Sequence, residues 1–215
     1  MQSVHRTTSH HPRRRAGLSI VELLLALVIS AVLLVAIAAA LNTTFHAYAT
    51  AAESASTQSS ARLVMQRLMT MIRSGVLHDA YDPDDESVTL ADPTQPAVRS
   101  VGIEMFDLEG QLVRVWWAAN ASYGDADVGD LRYALGSGVP GPLLERVRVL
   151  RTDDGEPYIF TLASRSSSTG LLLLRATVDL SVEPGADATL ALESVRGASG
   201  VVRLVGSTMP RRNLE

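Results

Sequence analysis

Three arginines, Arg13, Arg14 and Arg15, and a small residue, Gly17, stand before a long apolar run. That run holds a single carboxylate, Glu22, at the fifth position after Gly17. A carboxylate inside a membrane span costs on the order of 2.5–3.5 kcal/mol on insertion scales. The chemistry open to Glu22 is therefore charge pairing, because a cation held beside it in a low-dielectric setting is strongly attracted. Two other groups of carboxylates could do chemistry. Asp79, Asp82, Asp84, Asp85 and Glu86 form one cluster, and Asp125, Asp127 and Asp130 a second around Gly129. Either could ligate calcium through oxygen. Neither fits the D-x-D-x-D-G-x5-E loop, so solvated acidic loops are expected, with Asp125, Asp127 and Asp130 as weak calcium candidates.

Nucleophilic and redox chemistry find no footing. There is no cysteine, and no G-x-S-x-G, phosphate-loop or dinucleotide fingerprint. His5, His10 and His11 lie within the first 17 residues. His46 and His78 are too far apart to suggest a metal site. Neither an enzyme nor a cofactor is predicted. Charge is split along the chain. Residues 1–17 carry four arginines and no acid; the remaining 15 arginines face 23 acidic residues, leaving the rest near −8. A basic head before an apolar run predicts a cytoplasmic head and an exported remainder. The acidity of that remainder argues against nucleic acid as a partner.

Leu23–Leu41 is 19 residues without a charge, with Ser30 its one polar residue. About 20 apolar residues span a bilayer as a helix. Three readings of this run are open. It could be an uncut one-pass anchor. It could be a secretory signal, with Arg13–Arg15 as n-region and Ala38-Ala39-Ala40 as an A-x-A site before Leu41. It could also be the first half of a longer helix. From Leu41 to Ser74 there is no proline or glycine. Ala61, Val64, Met65, Leu68, Met71 and Ile72 recur at helical spacing, and Gly75 stands where a C-cap is expected. One helix from Ser19 to Ser74, about 85 Å long at 1.5 Å per residue, favours the third reading.

The stretch RRRAG-LSIVELLLALVISAV resembles the N-terminus of type IV pilins and type II secretion pseudopilins. The resemblance covers Arg13 to about Gly75. It implies cleavage by a prepilin peptidase after Gly17, methylation of the new amine of Leu18, and pairing of Glu22 with a neighbouring subunit's amine. Other pilin or pseudopilin subunits, an inner-membrane assembly platform and the lipid bilayer are the further partners it implies. So is a single-pass inner-membrane location with the leader cytoplasmic and the C-terminal domain periplasmic. Leu18 replaces the family's usual phenylalanine, and Ala39 stands near its frequent mid-span proline, so no proline-induced break is expected.

Beyond the helix, residues 76–99 read as an acidic, proline-containing loop. A β-rich domain over residues 100–206 follows. Val101–Phe106 and Leu112–Trp117 read as a hairpin across Asp107–Gly110. Leu131–Leu135, Arg146–Leu150, Tyr158–Leu162 and Leu171–Leu180 are further strands, with turns at Asp153–Gly155 and Ser166–Gly170. Thr189–Ser194 and Gly200–Val205 are expected to form a last hairpin, and residues 207–215 a flexible tail. Of Trp116 and Trp117, on opposite faces of a strand, one is expected in the core and the other either exposed or covered by a loop. The fold class expected is α+β: a long N-terminal spine helix followed by a mainly antiparallel, pilin-like β domain. The domain is similar to that of minor, J-like or W-like pseudopilins in its size and in the DLRYAL…LLERV stretch.

Overall fold

A computed structural model describes residues 19–85, 97–167, 170–184 and 201–211. Helix α1 runs over Ile20–Ser74. Among the described residues eleven strands follow: β1 (Val76–Tyr81), β2 (Val98–Ser100), β3 (Gly102–Phe106), β4 (Leu112–Ala119), β5 (Val128–Leu135), β6 (Gly141–Arg148), β7 (Leu150–Arg151), β8 (Pro157–Tyr158), β9 (Phe160–Ser167), β10 (Gly170–Val182) and β11 (Val202–Thr208). A 3-10 turn, Ala121–Tyr123, joins β4 to β5. The α+β class expected from sequence is the class observed. The chain divides into two units, Met1–His46 and Ala47–Glu215.

In the first unit the described chain is the apolar part of α1, exposed along its whole length from Ile20. The second unit holds the rest of α1 and all the strands. Its sheet has the order β1-β3-β4-β5-β6-β10-β9-β2, with β11 on the other side of β10. Strands β7 and β8 form a separate pair, and the described pairings are antiparallel.

The helix meets this sheet through the residues its periodicity marked. Ala61, Val64, Met65, Leu68 and Ile72 are buried, and Met71 is partly so. They join one core with Ile103, Met105, Val115, Leu131, Val147, Leu162, Ala176 and Val178. Gly75 ends the helix by donating its N–H to the Met71 carbonyl at 2.8 Å. A Cβ there would lie 2.9 Å from the Met105 sulfur, so glycine also permits the close approach of β3.

The β3–β4 hairpin forms as expected. Asp107 and Gln111 pair through Asp107 N–H to Gln111 C=O, and Gly110 takes φ +78. Asp107 Oδ1 accepts from the N–H groups of Glu109 and Gln111, which is why aspartate suits the turn. Strand β1 lies where the acidic loop was expected to begin. His78 and Ala80 are its buried alternates, and the register breaks between Val76 and Asp79, so a regular two-residue period never shows in the sequence. Both tryptophans are buried, so an exposed Trp contact is not what forms. Trp117 lies in the core and donates Nε1–H to the Val147 carbonyl at 2.9 Å. Trp116, on the opposite face, is covered edge-on by Tyr81 at 5.5 Å between ring centres. The segment Thr189–Ser194 lies outside the described residues, and β11 pairs with β10 instead. Ser207 and Thr208 complete β11, and Arg211 N–H donates to the Arg73 carbonyl at the helix end, so the tail expected from residue 207 is tied down at its start.

Candidate functional site

Glu22 sits in the first turn of α1. The helix opens with Leu23 N–H donating to the Ser19 carbonyl at 3.1 Å. The first turn of a helix leaves N–H groups unpaired and carries the positive end of the helix dipole, so a carboxylate is favoured there before any partner is considered. Arg13, Arg14, Arg15, Gly17 and Leu18 lie outside the described residues.

From Leu23 to Leu41 the helix surface is apolar on every side but for Ser30. Large side chains from Leu23 and Leu24 to Val35, Ile37 and Leu41 are exposed, with no protein packed on them among the described residues. A helix that is apolar all round belongs in a membrane or among other apolar helices. Among the described residues α1 is the one helix long and apolar enough to cross a membrane. The run does not stop at Ala38–Ala40: helix continues unbroken through those residues to Ser74.

The second sequence candidate resolves differently. Asp125, Asp127 and Asp130 follow the 3-10 turn, and each is bound by donors from the protein itself. Arg148 Nη2 donates to Asp125 Oδ2 at 2.7 Å, and Asp127 N–H to Asp125 Oδ1 at 2.9 Å. The Asp127 amide, followed by Arg148, holds the Asp125 carboxyl below the usual carboxylate range. Arg151 Nε donates to Asp127 at 2.8 Å. Asp130 is buried and accepts from Tyr123 OH at 2.8 Å and Asn120 Nδ2 at 2.9 Å. Burial, then the bond to Asp130, pushes the Tyr123 phenol up from its ordinary value. Calcium would have to displace arginines from Asp125 and Asp127. Among the described residues no three His, Asp or Glu side chains are set to hold a metal ion. The sequence alternates Arg146 and Arg148 with Val147 and Val149, as for a strand with one wet face; the pairing of these arginines with the turn needed the β5–β6 register. That register contains a bulge between Gly129 and Leu131. Arg146 takes φ +56 there, and its guanidinium lies over the Tyr123 ring at 5.0 Å.

The comparison with protein families falls on the helix and the residues before it. A family model described as the prokaryotic N-terminal methylation motif matches residues 12–38. The segment carries a prepilin-type signal. The match takes in Gly17, Leu18 and Glu22 and supports a type IV pilin-like or pseudopilin-like chain, anchored in a membrane by its N-terminal helix. Comparison with curated proteins and with solved structures gave no match.

Proposed function

We propose that this chain is a prepilin-like structural subunit, cut after Gly17 by prepilin peptidase, N-methylated at Leu18, and built as a minor subunit into a type IV pilus or type II secretion pseudopilus. The observation that carries the proposal is one continuous feature. A methylation motif over residues 12–38 leads into a helix that passes the membrane-length run and goes on to Ser74. A secretory signal cut near Ala40 would sever that helix in mid-course. An uncut anchor would leave the position of Glu22 without a purpose.

Glu22 acts in assembly. Once Gly17 is removed, Leu18 bears a free amine that stays positive after one methylation. Subunits staggered along a filament axis bring one amine beside another's carboxylate, and each charge finds its opposite away from water. An unpaired Glu22 is penalised there, so the pair fixes register more than it adds affinity. The subunit's partners are the peptidase, other pilin or pseudopilin subunits and the inner-membrane assembly platform. Its exported domain is structural: a sheet with a helix packed on it.

The test is the mature N-terminus, determined by mass spectrometry of protein taken from native membranes. A chain beginning at Leu18 with one added methyl group is expected. A chain beginning at Leu41, or at Met1, would overturn the proposal.

A further inference from the structure

Two exposed aromatic rings stand together where the apolar surface of α1 ends. Phe45 is 69% exposed and Tyr48 is 74% exposed. Three residues apart on a helix, they share a face. The other tyrosines are engaged: Arg114 lies over Tyr81, Arg146 over Tyr123, Arg67 over Tyr133 and Arg99 over Tyr158. Trp116, Trp117 and Phe160 are buried. The chain thus places its most exposed rings, among the described residues, at one level of one helix.

The residues just before them are fitted for lipid although they are polar. Thr43 Oγ1 donates to the Ala39 carbonyl at 2.6 Å, and Thr44 Oγ1 to the Ala40 carbonyl at 2.8 Å. Both hydroxyls are satisfied within the helix and need no water. Asn42 aside, the surface suited to lipid therefore runs on past Leu41 to the aromatic pair. Aromatic rings gather at membrane–water boundaries because an apolar body and a polar edge suit the headgroup layer.

We infer that Phe45 and Tyr48 form an interfacial anchor in the headgroup layer on the exported side of a phospholipid bilayer, and that this anchor fixes the depth of α1 so that Glu22 lies at the opposite boundary. The inference rests on the membrane-anchored reading of the helix proposed above. Lengths carry it. Glu22 and Phe45 are 23 positions apart, about 34 Å along a helix axis. The hydrocarbon core is about 30 Å thick, and about 40–45 Å with its headgroup regions. With Phe45 at one boundary, the carboxylate reaches the other, where water and headgroup cations can solvate it. Glu22 in the resting subunit is then an interfacial group; its transfer to an anhydrous pairing site belongs to assembly.

The chain has no cysteine, so single cysteines report depth cleanly. Full-length protein would be reconstituted in phosphatidylethanolamine–phosphatidylglycerol vesicles and treated with a membrane-impermeant maleimide, from each side in turn. The sites are Val21→Cys, Ala26→Cys, Ala40→Cys, Ala47→Cys, Ala49→Cys and Ala52→Cys. Labelling at 49 and 52 is expected to exceed that at 40 at least tenfold from the exported side. Labelling at 21 should exceed that at 26 similarly from the other. The substitutions Phe45→Ala and Tyr48→Ala together should move the exported boundary by a helical turn, whereas Phe45→Trp with Tyr48→Trp should hold it. A boundary unmoved by the alanine pair, or one lying more than a turn from Phe45–Tyr48, overturns the anchor while leaving the membrane reading intact. Protein that fails to float with the vesicles overturns both.

Discussion

At the scale of single residues, positive charge in this protein is carried by arginine in place of lysine, which the chain lacks. Coding bias is one reading of that composition, but the fold makes use of its chemistry. Guanidinium groups lie 5.0–5.7 Å from the centres of four tyrosine rings, an arrangement a planar cation supports better than an ammonium. His78 is the informative titrating group. It is buried, with Nε2 2.8 Å from the Ile72 carbonyl near the helix end. That oxygen can only accept, so Nε2 carries the proton. Burial lowers the imidazole below its ordinary 6.5, and the bond to Ile72 opposes the shift only in part. The unfolded chain therefore binds a proton near that pH which the folded chain refuses until the pH is lower. The stability contributed is complete above about pH 6.5 and declines as pH falls toward the folded value. Thermal melts of the full chain in detergent should show a midpoint that drops as the pH falls below about 6.5, and His78→Gln should remove that part of the slope. An unchanged slope in the variant would assign the pH dependence to other groups.

At the scale of elements, close approach is governed by glycines packed beside the tryptophans. Gly129 on β5 pairs with Ala119 on β4. A Cβ on Gly129 would lie 2.1 Å from the Ala118 carbonyl oxygen and 2.7 Å from the Trp117 ring. Neither backbone nor a core indole held by its own hydrogen bond can retreat cheaply. Gly129→Ala is expected to destabilise the β domain by about 2 kcal/mol or more, read as a lowered denaturation midpoint with unchanged far-ultraviolet dichroism of the helix. Gly110→Ala serves as a contrast, since nothing lies near its missing Cβ and only its φ of +78 resists substitution; its cost should be about 1 kcal/mol. The hairpins with an Asp-rich, Gly-containing turn were legible because their local chemistry suffices to form them. Strand β1 was not, because a bulge interrupts its alternation just after the helix cap.

At the scale of the whole molecule, one helix serves two solvents. Its first part is apolar all round, and its last four turns carry a buried stripe against the sheet. Glu22 is the charge that the first part retains among apolar neighbours. On the proposed prepilin reading, Glu22→Ala should leave cleavage after Gly17 and methylation of Leu18 intact, yet reduce recovery of the subunit in sheared filament fractions by roughly tenfold, the equivalent of about 1.4 kcal/mol of pairing. Equal recovery of variant and parent would remove Glu22 from assembly.

The sequence by itself determined the segment and the class. A run of nineteen uncharged residues, a carboxylate five positions past a glycine, and a helical period continuing to Gly75 are local patterns, and the matched motif and α1 fall on them. The strand order, with β10 set beside β6 and β11, was decided only by tertiary structure, as were the burial of both tryptophans and the arginines that occupy Asp125 and Asp127. Those features depend on pairings between residues 20 to 35 positions apart. Such pairings are fixed by packing and register across the sheet, and no short window of sequence contains both partners.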